Sequence, residues 1–182
     1  MKHLPYVCLL ALGSASAFAT GSPATVTGPA PSSLFGNNVE LSYAQQATSG
    51  VSGHLNGWQV SATAYLGKSD LFINGLTTVG GDLGNGADAV SLGYRCKNVA
   101  AQIDVALTVG SDETYGLALH RALGGGYGAW ASYVSNAAGH EVNLTLSKML
   151  THEISLDLGH TWISRDILPN QNQWSLGVRY KF

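Results

Sequence analysis

Charge is scarce in this chain of 182 residues: Asp, Glu, Lys and Arg together make up 11%, against the ~25% of ordinary soluble domains. The net charge of −2 offers no basic surface for a nucleic-acid partner. Cysteine is nearly absent, with only Cys8 and Cys96. Cys8 lies in an N-terminal segment expected to be removed, so no pair is left for an internal disulfide. Long apolar runs are missing too: beyond residue 20 nothing approaches the ~20 apolar residues of a membrane-spanning helix. His152 and His160 share the outward parity of one expected strand but stand too far apart to hold a metal ion together. No glycine-rich loop runs into a helix to cradle a phosphate. No metal, no cofactor and no catalytic residue is expected.

What is present is glycine, at 23 residues, and a persistent alternation of apolar and polar positions. The chain begins with a basic Met1-Lys2-His3, an apolar stretch over residues 4–18 and a small-x-small Ala17-Phe18-Ala19. That is a signal-peptide pattern, so residues 1–19 are expected to be cleaved. Residues 20–37 carry Pro23, Pro29 and Pro31 among small polar residues and read as a flexible periplasmic lead-in. From 38 to 182, alternating segments are separated by turn chemistry such as Gly67-Lys68-Ser69, Lys97-Asn98 and Gly124-Gly125-Gly126. The period of two predicts strands at 38–47, 55–66, 70–78, 87–96, 99–110, 113–122, 126–135, 140–149, 152–163 and 172–182. Val99, Ala101, Ile103, Val105, Leu107 and Val109 share one face of the fifth. The third leaves its outward face open between Leu71 and Ile73 or Phe72 and Leu76.

Few charges, many glycines and alternating strands without a long apolar run predict an all-β fold: a transmembrane antiparallel up-and-down β-barrel. The expected count is ten strands, or eight if the third and fourth segments are loop excursions. An even count puts both termini on the periplasmic side, with long connections outside and tight ones inside. Outward aromatics then fall in two groups: Trp58, Tyr115, Tyr133, Trp162 and Trp174 toward the outer end, and Tyr94, Tyr127, Tyr180 and Phe182 toward the periplasmic end. Amphipathic rings favour the two headgroup zones.

The last run, Gln173-Trp174-Ser175-Leu176-Gly177-Val178-Arg179-Tyr180-Lys181-Phe182, resembles the C-terminal signal of bacterial outer-membrane β-barrels. That resemblance implies an outer-membrane location, surrounding lipid and lipopolysaccharide, and recognition of Trp174, Leu176, Val178, Tyr180 and Phe182 by the barrel-assembly machinery. The segment 38–182 resembles the small porin-like members of that group. The inward face carries charges of both signs, Glu40, Arg95, Asp104, Asp157 and Arg179 among them. Arg95 and Arg179 are expected to meet Glu40, Asp104 or Asp157, either closing a polar core or forming a charged constriction. The leading function is a narrow porin-like channel for small solutes, and the alternative is a closed structural or surface-interaction barrel. A lipid A-modifying enzyme ranks third. Tyr133-Val134-Ser135-Asn136-Ala137 resembles the His-x-Ser-Asn-Ala motif of lipid A deacylases, with Tyr133 where the base belongs. His140 and Glu141 are the nearby groups that could replace it.

Overall fold

A computed structural model describes residues 36–83, 89–100, 103–111 and 113–182. The expected leader and most of the lead-in lie outside these residues. Ten strands follow in order: β1 (Asn38–Thr48), β2 (His54–Tyr65), β3 (Leu71–Gly81), β4 (Ala89–Ala100), β5 (Ile103–Gly110), β6 (Tyr115–Gly124), β7 (Tyr127–Asn136), β8 (Gly139–Met149), β9 (Ile154–Arg165) and β10 (Gln171–Lys181). Each pairs antiparallel with its sequence neighbour, and β1 closes on β10 with Asn38 opposite Lys181 and Thr48 opposite Gln171. The result is a closed up-and-down barrel, which leaves no strand edge unpaired. With strands ~4.8 Å apart and tilted ~40°, ten of them enclose a backbone radius of roughly 10 Å.

Its polarity is inverted relative to a soluble protein. Among the described residues, polar and charged side chains outnumber hydrophobic ones in the interior. Leu, Val, Ile and aromatic side chains cover the outside, as on β10, where Trp174, Leu176, Val178 and Tyr180 are about half exposed. Strands of 8 to 12 residues match the ~9–11 needed to cross a bilayer at a tilt. A closed barrel satisfies the backbone hydrogen bonds that hydrocarbon would otherwise leave unmade. At the loop-bearing end Trp58, Tyr115, Tyr133, Trp162 and Trp174 face outward, and at the end holding the termini Tyr127, Tyr180 and Phe182 do.

Two sequence expectations change, and one that was open is settled. Lys97-Asn98 is not a turn. β4 continues to Ala100, and its register against β5 shifts between Cys96 and Ala100. Asn98 takes a left-handed φ of 51°, a conformation asparagine tolerates, and its amide donates to Asp104 Oδ1 at 2.9 Å. The turn chemistry there makes a bulge, and Val99 belongs to β4. On β3, Leu71 and Ile73 face outward while Phe72 and Leu76 are buried inside. The Phe72 ring lies where a Cβ of Gly93 on β4 would stand, so the missing side chain makes room for a large one in the lumen. Finally, the contrast between long and short connections is slight. The turn over 66–70, at the termini end, is as long as the 49–53 connection at the other.

Candidate functional site

The strand alternation sends every second residue into the lumen, and most of these are Ser, Thr, Asn and Gln. Such side chains reach one another between strands, from β3 to β2, from β8 to β9 and from β10 past β1 to β2. Asn74 Nδ2 donates to Thr63 Oγ1 at 2.7 Å, Asn143 Nδ2 to Thr161 Oγ1 at 2.7 Å, and Gln173 Nε2 to Gln59 Oε1 at 3.2 Å. They are too short to fill a lumen of this radius. Larger side chains narrow it at two levels.

The level nearer the termini centres on Arg179. Its Nη2 donates to Asp157 Oδ2 of β9 and, at 3.5 Å, to Ser147 Oγ of β8. Its Nε stands 3.6 Å from Glu40 Oε2 of β1. All three charged side chains are buried. The guanidinium also lies 5.5 Å from the centre of the Trp130 ring on β7, a cation–π distance. Trp130 Nε1 donates to Ser147 Oγ at 3.0 Å, and His120 packs on the indole at 3.9 Å between centroids. Trp130, Phe72 and Ala106 form one apolar cluster, flanked by Tyr65 and Ala118. Ionic on one half and aromatic on the other, this layer narrows the lumen.

The second level lies at the loop-bearing end. Arg165, the last residue of β9, pairs with Glu141 of β8 at 3.1 Å, and both side chains are only 4% exposed. Between the two levels sits a polar cavity of about 40 Å³, bordered by Glu40 at one end and Glu141 at the other. That is room for water but not for an organic solute. A second cavity, of about 300 Å³, opens at the termini end below the Arg179 layer.

Among the residues singled out from the sequence, Glu40, Asp157 and Arg179 come together. Arg95 and Asp104 do not join them. Arg95 Nη2 meets Asp70 Oδ1 at 3.1 Å, and Lys97 Nζ meets the same oxygen at 2.8 Å. Asp70 sits in the turn between β2 and β3. Burial alone would raise its pKa, but hydrogen bonds from Lys97 and Arg95 outweigh it and hold the carboxyl below its ordinary value. Arg95 is drawn to the rim because Leu71 pairs with Tyr94, which sets Asp70 opposite Arg95. Asp104 is engaged with the bulge amide of Asn98. Sequence reasoning missed Asp70, Arg165 and the lumen pairing of Glu141.

The Ser135 constellation is not assembled. Ser135 pairs in register with His140, but His140 stacks on Tyr133, with centroids 5.9 Å apart. Glu141 points the opposite way, to Arg165. His152 is not in a strand with His160. It lies in the turn before β9 and borders the larger cavity. Among the described residues no cluster of His, Cys, Asp or Glu could hold a metal ion.

No protein-family model matches the chain, and no curated protein matches it. Solved structures do. The chain is similar to Ail, the attachment invasion locus protein of Yersinia pestis, with 14% identity, 81% of this chain and 99% of that one covered, and a TM-score of 0.38. It is similar to the KdgM porin, with 18% identity, coverage of 79% and 99%, and a TM-score of 0.44. It is also similar to an outer membrane channel from Pseudomonas putida F1, with 10% identity, coverage of 90% and 100%, and a TM-score of 0.48.

Proposed function

We propose that this chain is an outer-membrane β-barrel whose lumen is a narrow channel for small solutes, shut at rest by the Arg179 layer. The observation that carries the reading is the cavity between two arginine–carboxylate pairs, bordered mostly by Ser, Thr, Asn, Gln and Glu. A barrel needed only as a rigid wall has no reason to keep charged groups of both signs buried at two levels, each costly to desolvate. In this reading the leader exports the chain and the assembly machinery engages Trp174, Leu176, Val178, Tyr180 and Phe182. Lipopolysaccharide surrounds the aromatic girdle at the loop-bearing end.

Single-channel recording of the refolded protein in a planar bilayer tests it. Rare discrete openings are expected for the wild type, and Arg179→Ala is expected to raise conductance and open time. A barrel that folds, shown by a heat-modifiable gel shift, yet stays silent as wild type, Arg179→Ala and Arg165→Ala sinks the channel. The second reading, a permanently closed structural barrel, would then stand. The packing of Phe72, Ala106 and Trp130 across the lumen favours it.

A further inference from the structure

The larger cavity, about 300 Å³ at the termini end, departs from the rest of the lumen in chemistry. One wall, from the end of β6 through the turn to the start of β7, includes Ala122, Gly124, Gly126 and Gly128, which carry at most a methyl group. Tyr127, Met149 and Ile154 border it at its exposed rim, and Trp130 and His120 form its inner end. The cavity is therefore mostly apolar, inside a barrel whose interior is for the most part polar. Concave, mainly apolar spaces of this size with a few convergent polar groups are the usual form of a small-molecule site.

The polar groups specify the other end of a ligand. Arg179 and Lys181 border the cavity, and both are donors without acceptor capacity. Ser147 and Ser155 add hydroxyls. The carboxylates that hold Arg179, Glu40 and Asp157, do not border this cavity. Glu153, the one carboxylate at its edge, is exposed in the turn before β9. A head group that accepts hydrogen bonds and carries negative charge fits this set, and an apolar body fits the glycine wall. At ~30 Å³ per water in the liquid, the space suits roughly ten non-hydrogen atoms.

We infer that this cavity is a binding site for a small amphipathic monocarboxylate, with its carboxylate toward Lys181 and Arg179 and its apolar body against the Ala122–Gly128 wall and Trp130. The site requires no conduction and stands or falls separately from the channel. Fluorine NMR titration of the protein in phospholipid nanodiscs tests it, with 4-fluorobenzoate as the probe and 4-fluorobenzyl alcohol and 4-fluorobenzylamine as its neutral and cationic counterparts. Saturable binding of the carboxylate is expected, about tenfold tighter than the alcohol, the worth of one charge-assisted hydrogen bond. Ala122→Phe fills the cavity from an exposed strand end and should abolish binding while the barrel keeps its heat-modifiable gel shift. Lys181→Gln should bring the carboxylate down to the level of the alcohol. Equal uptake by wild type and Ala122→Phe, which is partition into lipid, overturns the site. Alcohol or amine binding as tight as the carboxylate, or a carboxylate preference unchanged in Lys181→Gln, overturns the head-group assignment and with it the proposal.

Discussion

Removing Arg165 should destabilise the barrel far more than removing Arg165 and Glu141 together. Both side chains are 4% exposed and 3.1 Å apart, so each neutralises a charge that water cannot reach well. Taking away one partner of such a pair costs about 3–5 kcal/mol because the other is left buried and uncompensated. Glu141 also borders the small polar cavity, where water can solvate part of the orphaned carboxylate, which puts Arg165→Met near the lower end, about 3 kcal/mol. Glu141→Gln keeps an acceptor for the guanidinium and should cost less, about 1–2 kcal/mol. The double variant Glu141→Leu with Arg165→Met leaves no buried charge, and by the same reasoning it returns to within about 1 kcal/mol of wild type. Urea unfolding in liposomes, followed by tryptophan fluorescence and by gel mobility without heating, measures all four proteins. If Arg165→Met costs less than about 1 kcal/mol, or the double variant is no more stable than the single one, the pair is not held by desolvation as argued here.

Two further outcomes follow from the lumen and its rim. Gly93→Ala places a methyl group inside the Phe72 ring and should cost about 1–3 kcal/mol by overpacking, with partial recovery in Gly93→Ala combined with Phe72→Leu; an unchanged urea midpoint for Gly93→Ala would show that the ring is free to move. Asp70 has a folded pKa below the ordinary 3.8, so its contribution is fully present above that value and is lost as pH falls through the depressed one. Stability against pH below about 4 should therefore fall less steeply in Asp70→Asn than in wild type, and parallel acid limbs would show that the Arg95–Asp70–Lys97 cluster contributes nothing.

The strands were legible because a barrel writes its geometry into the sequence twice over, once on each face. Val142, Leu144 and Leu146 alternate with Glu141, Asn143, Thr145 and Ser147, and the structure sends the first set outward and the second inward. β3 was the exception, because Phe72 and Leu76 are apolar on the lumen side. The alternation there fails for a reason that lies on another strand, the absent side chain of Gly93. Partners were harder to read than faces. Arg95 meets Asp70 because β3 and β4 align Leu71 with Tyr94, and that register depends on a long connection whose turn type a local pattern does not reveal. Arg165 was passed over because it stands beside the 166–170 connection, where strand and loop share a composition. A period of two says which way a side chain points but not at what height a partner from another strand meets it.

Height is also what links closure to stability in this barrel. Glu40, Asp157 and Arg179 sit on three adjacent strands, β1, β9 and β10, two or three residues in from the termini end. A gate that opened by stripping Arg179 of all partners would leave buried unpaired charge and cost several kcal/mol, too much for frequent opening. Arg179 has carboxylates on both flanks, however, Asp157 at Nη2 and Glu40 near Nε. Turning toward Glu40 and away from Trp130 keeps the guanidinium paired and leaves one buried charge, the Asp157 carboxylate, without its arginine, rather than three. The indole then loses its cation, while its hydrogen bond to Ser147 keeps it in place. On the channel reading, the second carboxylate is what makes opening affordable, and Glu40→Gln should silence the pore while leaving the Asp157 pair and the closed barrel intact. Conductance in Glu40→Gln equal to wild type would show that Arg179 does not open the lumen by this exchange.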